Sequence, residues 1–477
     1  MGFSRRKLSS SLCLILLANT GCDRKQQQKE LQTRLSVNVV FVLIDALRAD
    51  RLGEHDGKRS LTPVLDEIAA DGVLFERATS QAPWTHPSVA SIFTSRYPTV
   101  HGLGIRHIPA GGVKNAKAAV LSDRWQTLAE TLQQAGCQTA GFVANPWMLK
   151  SNGFAQGFDH YDDEDATNQT NGASLNERIR QWLGRRTSQK PLFLYVHYMD
   201  VHGPYWAPED LLEPLLKEVE ELGHRHQLAV DQKNLGYLAS ATKSYKDQSR
   251  HLALADTKEY WIARYDAGVR YMDVHIGELR DTLRQAGLWE NTLVIVTADH
   301  GEELLDHGRW NHGRSLFEEQ LHVPLLMYWK GRLQPGRRIQ DRVQLIDLMP
   351  TILELADLDP PDDCQGASLA GLLNGQRWDR PAYAEADKSG KKSAVYFQDL
   401  KMIRFAKRIG CKVYDLSKDP QERNPILLPN TPQGEQLSQA MDRLKAENEV
   451  LAEGHPVETV ELSDKARERL KALGYTK

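Results

Sequence analysis

The sequence predicts an α/β protein, in which a mostly parallel sheet carries helices on both faces and a small C-terminal α+β subdomain follows. Two observations carry this prediction. Short apolar, β-branched runs alternate with segments of helical periodicity as far as about residue 380. Beyond that point, 394–405 and 411–416 have the pattern of antiparallel strands, and 437–475 has that of charged helices. We therefore assign 36–380 to a main domain and 381–477 to the subdomain.

The elements of the main domain follow in order along the chain. The predicted strands share an apolar composition and are 36–44, 139–143, 191–199, 293–297 and 323–329. The predicted helices are 61–72, with Pro63 at its first position, then 125–135, 260–287 and 347–356. Residues 209–255 are charged and lack strand signals, so we interpret them as a helical insertion that is a candidate cover for the site.

Composition excludes some classes of partner. The chain has 477 residues and a formal net charge of −3, which gives no reason to expect nucleic-acid binding. Its five cysteines are scattered and predict no disulfide framework. The sequence makes no prediction of oligomeric state.

The first 22 residues have the pattern of an export signal. Arg5, Arg6 and Lys7 form a basic start, and residues 8–18 form an apolar core that is too short to span a membrane. A small-residue box then ends at Cys22, so we expect lipid attachment there, and cleavage without lipidation remains the alternative. Residues 23–35 are polar and predict a tether. Together these features predict an exported protein that a lipid anchors to the bacterial cell envelope.

Acidic and imidazole side chains follow three of the predicted strands. Asp45 ends the first strand, Asp200 and His202 follow 191–199, and Asp299 and His300 follow 293–297. Carboxyl ends of parallel strands share one edge of a sheet, which is where such sheets place ligands. A mixed set of carboxylate and imidazole ligands suits Mn²⁺ or Zn²⁺ better than Ca²⁺, which prefers oxygen. The sequence therefore predicts a site for one divalent metal ion.

The chain resembles the sulfatase family of the alkaline phosphatase superfamily over most of residues 37–425. Six stretches carry the resemblance in the family's order: NVVFVLIDALRAD, APWTHPSVASIFTSRYPTVHG, VHYMDVHGPYWAP, LVIVTADHGEELLDHG, HGRSLFEEQLHVPLL and VYDLSKDPQERNP. The resemblance implies an alkaline phosphatase-like fold, with a sulfatase-like catalytic domain at 36–380. It also implies hydrolysis of sulfate or phosphate esters.

The resemblance places Thr85 at the nucleophile position. The family has a Cys- or Ser-x-Pro-Ser-Arg motif there, and the matching residues are Thr85-His86-Pro87-Ser88-Val89. A helix that begins at Pro87 would stabilise negative charge nearby. Because no cysteine occupies this position, the formylglycine nucleophile of many sulfatases cannot form.

Other positions also depart from the family pattern. Val89 replaces an arginine, and the lysine of the second signature is lost around Ala144 or Asn145. Ala46 follows Asp45 where many sulfatases have a second aspartate, and His312 replaces a lysine that binds substrate. The pocket thereby loses about two fixed positive charges, which favours a monoanionic ester over a dianionic one.

The resemblance implies a role for each candidate residue. The metal ligands would be Asp45, Thr85, Asp299 and His300. His202 and His312 would face the ester oxygens as catalytic and substrate-binding groups. Asp200 would orient one of these histidines, and Arg96 is a further candidate for substrate binding. A second metal held by Asp200, His202 and His312 remains an alternative.

These roles predict a metal-dependent hydrolase of sulfate or phosphate esters that acts through Thr85. One alternative is a phosphodiesterase or phosphotransferase similar to lipoteichoic acid synthases. Another is a non-catalytic binding protein on the same fold. The predicted partner is a small or polymeric sulfate or phosphate ester.

Overall fold

The computed structural model describes residues 36–53, 60–104, 117–164, 166, 171–222, 251, 253–255, 257–387, 391–406, 410–426 and 431–472. The predicted signal peptide, Cys22 and the tether lie outside these residues, as does the 209–255 segment between 223 and 250.

A nine-stranded, mostly parallel sheet forms the centre of the molecule, as predicted. Its strands are β1 (Asn38–Ile44), β2 (Val73–Thr79), β4 (Gln138–Val143), β5 (His160–Asp162), β6 (Leu192–Tyr198), β7 (Thr292–Ala298), β10 (His322–Tyr328), β11 (Arg337–Ile339) and β12 (Val343–Gln344). Their order is β11-β2-β10-β7-β1-β6-β4-β5, and β12 pairs with β2. β10 runs antiparallel to both of its neighbours, β2 and β7.

The α-helices of the main domain are α1 (Pro63–Ala70), α2 (Thr85–Thr94), α3 (Pro98–His101), α4 (Leu128–Gln134), α5 (Gly172–Arg185), α6 (Glu209–Leu222), α7 (Lys258–Gln285), α8 (Glu318–Leu321), α9 (Leu348–Leu355) and α10 (Ala370–Leu373). Thr127 and Glu130 form a reciprocal capping box that starts α4. In the insertion, α6 buries Leu212 and Leu216 in the main core. None of the described helices combines the length and apolarity needed to cross a membrane.

The end of strand β1 determines where the site lies on the sheet. It pairs in parallel with β6 on one side and with β7 on the other. In this register Ile44 aligns with both Tyr198 and Ala298, so the three strands end together. The residues that follow them, among them Asp45 and Asp299, therefore leave the same edge of the sheet side by side.

The C-terminal residues form a second, antiparallel sheet of four strands, which pair in the order of the chain. Its strands are β13 (Ala382–Ala386), β14 (Lys392–Phe397), β15 (Leu400–Phe405) and β16 (Cys411–Asp415), so the predicted strand 394–405 is a hairpin. Helices α11 (Pro432–Ala452) and α12 (Asp464–Ala472) follow. Between them β17 (Thr459–Glu461) pairs with β3 (Lys117–Ala119), which returns the end of the chain to the main domain.

Candidate active site and metal centre

Asp45, Asp299 and His300 form a buried group where β1 and β7 end. One ligand atom from each residue lies within 4.8 Å of the others, which is a spacing that a metal ion could bridge. All three side chains are fully buried. Strand register brings the two carboxylates together, and the turn at Gly301 follows at once. Its backbone approaches Glu319 so closely that a Cβ would overlap the Glu319 carbonyl oxygen.

The atoms of this group fit a cation. The Nδ1–H of His300 donates to the carbonyl of Gly301 at 2.8 Å, which leaves Nε2 as an acceptor in the neutral ring. That Nε2 lies 3.6 Å from Asp45 Oδ1 and 3.4 Å from Asp299 Oδ2. Within the described part of the chain, neither oxygen accepts a hydrogen bond. Buried acceptors that converge without donors require a positive charge between them.

The two carboxylates differ in their proton affinity. Burial raises the pKa of Asp45, but His202, His197 and His300 overcome this effect and bring its pKa below its usual range. Burial and the charge of Asp45 raise the pKa of Asp299 well above its usual range. In the protein alone, a negative charge is therefore favoured at Asp45. A second negative charge at Asp299 requires a positive charge nearby to compensate it.

Thr85 lies against this group at the start of α2. Its Oγ1 is 3.3 Å from Asp45 Oδ2 and 3.3 Å from His300 Nε2. The helix begins at Thr85 rather than at Pro87, because the N–H of Ser88 already bonds to the carbonyl of Trp84. Pro87 is then in the first turn, where its missing N–H costs nothing. The hydroxyl of Ser88 donates to the Asp299 carbonyl at 2.7 Å and ties α2 to β7.

The structure also brings His202 and His312 to the site. The ring of His312 lies 4.2 Å from that of His300 and 5.0 Å from that of His202, measured between centroids. Nδ1 of His202 donates to the Gly203 carbonyl at 2.7 Å. Nδ1 of His312 donates to Glu302 Oε2 at 3.1 Å, and Glu302 is itself buried. These bonds fix both rings and direct each Nε2 away from its Nδ1 partner.

The predicted role of Asp200 is wrong. Its Oδ1 accepts the N–H of Gly172 at the start of α5, at 2.9 Å, and its Oδ2 accepts no hydrogen bond from the described residues. Glu302 takes the expected place on His312. Within the described chain, Asp200, His202 and His312 also do not form a group with metal-ligand spacing.

Arg96 is also not placed for substrate. It is 1 % exposed, donates to the carbonyl of Thr94 at 2.6 Å and pairs with Asp363. Its guanidinium stacks over the ring of Trp125 at 4.3 Å. These contacts use the charge of Arg96 inside the protein. They hold the segment after α2 against the rest of the main domain and leave no charge for a substrate.

Besides Glu302, sequence reasoning missed two residues that contact Asp45. Asn145, fully buried after β4, donates from Nδ2 to Asp45 Oδ2 at 2.6 Å. His197 on β6 places Nε2 3.3 Å from the same oxygen. The sequence named Asn145 only as one of two places, with Ala144, where the family's lysine is lost. His197 was hidden within an apolar strand, although it precedes the strand end by one residue.

The mostly parallel sheet, with a carboxylate and imidazole group at its carboxyl edge, defines a metalloenzyme-type site on an alkaline phosphatase-like fold. The chain belongs to the sulfatase family, whose model matches residues 37–358. A second model, N-sulphoglucosamine sulphohydrolase, C-terminal, matches residues 306–449. These matches confirm the family and its ester-hydrolase class.

Known proteins extend the likeness across both domains. An arylsulfatase of Clostridium perfringens is 25 % identical over 476 residues, with 86 % of this chain and 92 % of that protein covered. The protein BT4656, solved with D-glucosamine-2-N,6-O-disulfate, shares the fold with a TM-score of 0.71 and 20 % identity, over 88 % of this chain and 99 % of that one. A phosphonate monoester hydrolase of Agrobacterium radiobacter has a TM-score of 0.67 and 19 % identity, over 90 % and 100 %.

Proposed function

We propose that this protein is a metal-dependent hydrolase or transferase of monoanionic esters, with Thr85 as its nucleophile. Phosphate diesters and related monoanions are the first candidate substrates, and sulfate monoesters are the second. The observation that carries the proposal is the position of the Thr85 hydroxyl. Its Oγ1 lies 3.3 Å from Asp45 Oδ2 and from His300 Nε2, against a group that needs a cation.

Asp45, Asp299 and His300, with the hydroxyl of Thr85, would hold one divalent ion. The nitrogen ligand favours Mn²⁺ or Zn²⁺ over Ca²⁺. When bound, such an ion lowers the pKa of a neighbouring hydroxyl and neutralises charge on an ester.

Side chains of the protein carry out the remaining steps of the reaction. Thr85 attacks the central atom, with its hydroxyl oriented by Asp45. His312, in its imidazolium form, donates the proton of Nε2 to the leaving oxygen, and Glu302 stabilises this charged form and fixes the direction of the ring. His202 faces the same ester from the other side of His312, where it stabilises charge on the oxygens.

Loss of fixed positive charge supports a monoanionic substrate. Val89 is buried within α2, Asn145 contributes a neutral amide, and Arg96 is paired with Asp363. None of these three positions supplies a free cation to the ester. A phosphonate monoester, the substrate class named for one structural neighbour, also carries a single negative charge on phosphorus.

The nucleophile favours phosphorus over sulfur. A phosphorylated threonine can pass on its group by in-line attack of water or an alcohol. A sulfated threonine must be cleared by attack at sulfur, a step that a formylglycine hydrate avoids by expelling sulfate. Sulfate esters remain the second candidate because the relatives include an arylsulfatase.

Matched aryl esters test this proposal. With the Mn²⁺-loaded protein, kcat/KM for an aryl phosphate diester should exceed that for the aryl sulfate and clearly exceed that for the aryl phosphate monoester. Preference for the monoester would contradict the charge argument, and efficient sulfatase turnover would contradict the nucleophile argument. A protein that binds metal but turns over none of the three would support the non-catalytic alternative.

We also propose that the protein is exported and anchored to the bacterial envelope through Cys22. The basic start, short apolar core and polar segment 23–35 support this location. The substrate would then be an ester on the outer side of the cytoplasmic membrane.

A further inference from the structure

The C-terminal segment 459–472 packs beside the site. It consists of β17 and the helix α12 that follows it, and it lies beyond the residues that either family model matches. β17 pairs with β3 in a register that places Val460 opposite Ala118. Arg469 on α12 donates to the carbonyl of Glu164 at 3.1 Å. Both the strand and the helix of this segment are therefore fixed to the main domain.

The segment completes an apolar cluster that is separate from the main core. The buried residues of this cluster, within the described chain, are Trp84, Ala118, Ala144, Trp147, Met199, Leu462, Ala466 and Leu470. The last three belong to the C-terminal segment, and Leu470 is fully buried. Ala466 and Leu470 are one turn apart on α12, so they share the face that meets the cluster. Truncation of Leu470 would leave a cavity there.

Two tryptophans connect the apolar cluster to the nucleophile and to Asp45. Trp84 directly precedes Thr85 at the start of α2. The N–H of Trp147 donates to Oδ1 of Asn145 at 2.8 Å, and Nδ2 of Asn145 donates to Asp45. The two indole rings meet edge to face, with 5.6 Å between their centroids. A shift of either ring would therefore displace the hydroxyl or the amide that contacts Asp45.

Met199 connects the same cluster to His202. It follows β6, and its carbonyl accepts the N–H of His202 at 3.0 Å. Three loops of the site therefore meet one cluster, although Thr85, Asn145 and His202 come from distant parts of the chain. Because a packed interior transmits displacements, a change on α12 would reach all three loops.

We infer that segment 459–472 is a positioning element of the active site, which aligns Thr85, Asn145 and His202 through the apolar cluster. The inference rests on the proposed function, because the alignment serves the reaction at Thr85. The segment acts through other residues and does not touch the substrate. A misplacement of about 1 Å can lower a rate about 100-fold, so a small shift in the cluster should be visible in kcat.

Leu470→Ala in the full-length protein tests the inference. With Mn²⁺ bound, its kcat for an aryl phosphate diester should fall about 10- to 100-fold with little change in KM, because the reacting groups lose their alignment. Leu470→Met, which nearly keeps the volume, should retain most of the rate. Leu437→Ala is the matched control, since Leu437 is equally buried on α11 but packs against the C-terminal sheet. This control should lose stability and keep the wild-type kcat.

Amide hydrogen exchange provides a readout that does not depend on turnover. The N–H groups of Trp147 and His202 should exchange about tenfold faster in Leu470→Ala than in Leu437→Ala. Leu462→Ala, in the same cluster, should have the same effects and replaces Leu470→Ala if that variant does not fold.

An unchanged kcat in Leu470→Ala, or an equal loss in Leu437→Ala, would overturn the inference. If the wild type turned over no aryl ester, the proposed function would fail instead. Equal exchange in the two variants would then still decide against the positioning role.

Discussion

Asn145 donates its Nδ2–H to Oδ2 of Asp45 over 2.6 Å, and the same nitrogen lies 3.4 Å from Oγ1 of Thr85. Its Oδ1 accepts the N–H of Trp147 at 2.8 Å, so the amide is held in one orientation. A neutral donor thus satisfies one oxygen of Asp45, while the other oxygen faces Asp299 and His300. The neutral amide of Asn145 therefore leaves the carboxylate available to a cation.

Replacement of Thr85 by alanine should reduce kcat by at least about 1,000-fold, because the nucleophile is lost. Metal affinity should fall only moderately, since two carboxylates and an imidazole remain. Thr85→Ser should keep part of the rate. Ser91→Ala is the control, because Ser91 lies on the same helix as Thr85 but its hydroxyl faces His101 on α3. Equal turnover by wild type and Thr85→Ala would mean that water attacks the ester directly.

Mn²⁺ or Zn²⁺ should stabilise the protein and Ca²⁺ should not, because His300 contributes nitrogen to the group. At a free metal concentration of 100 times Kd, the free energy of unfolding should rise by about 2.7 kcal/mol. Thermal unfolding with each ion measures this effect. Asp299→Ala should abolish it, and Asp359→Asn, at an exposed site, should not. Stabilisation by Ca²⁺ alone would contradict the ligand assignment.

Glu302→Gln should lower kcat by about 10- to 100-fold with little change in KM, because the carboxylate positions His312 without touching substrate. Steady-state kinetics on an aryl ester measure both constants. Glu303→Gln is a matched comparison, since this buried neighbour accepts from Ser315 at 2.7 Å rather than from a histidine. Similar losses in both variants would indicate a general effect on the loop.

Asp273 on α7 should make stability depend on pH. Its carboxyl accepts the N–H groups of Val64 and Leu65 at 2.9 Å each, yet burial dominates and raises its pKa from 3.8 to about 6. Since the folded pKa is raised, the stabilising contribution is complete below pH 4 and is lost as the pH rises through 6. The change is about 3 kcal/mol.

Urea unfolding between pH 4 and 7 measures this contribution. Asp273→Asn should remove it, so the variant should lose less stability over that interval than the wild type does. Parallel pH profiles for the two proteins would show that Asp273 does not titrate in this range.

If a lipid is attached at Cys22, Cys22→Ser should release the protein from membranes or block its processing, because the variant has no thiol to accept the lipid. Fractionation of cells that express either form measures this. A variant that stays membrane-bound and is normally processed would rule out the lipid anchor.

Strand patterns were enough to predict the central sheet and the residues at its edge. Asp45 and Asp299 follow buried apolar strands, and parallel register brings the ends of those strands together. β2 was missed because Glu76 and Arg77 interrupt its apolar pattern. The composition of β10 does not reveal its antiparallel direction, because this strand is buried like the parallel strands of the sheet.

The sequence does not show where a long side chain points, and this limited the prediction of the remaining site residues. Arg96 was close in sequence to the nucleophile, but its long side chain reaches Asp363 instead. Asp200 and Glu302 are both carboxylates near His202 or His312 in sequence, and only the fold decides which one contacts a ring. For Glu302, the loop that carries β8 (Glu303–Leu304) and β9 (Trp310–Asn311) turns back to bring His312 beside it.

The central position of β1 affects how the protein folds while the ribosome synthesises it. Ala46 and Asp299, joined by a hydrogen bond in the finished fold, are 253 residues apart in the chain. At ribosomal rates, that separation corresponds to roughly 10 to 50 s of synthesis. During this interval β1 exists without β7, and its unpaired edge is open to aggregation. The yield of folded protein should therefore depend on translation speed and on chaperones that hold the nascent chain.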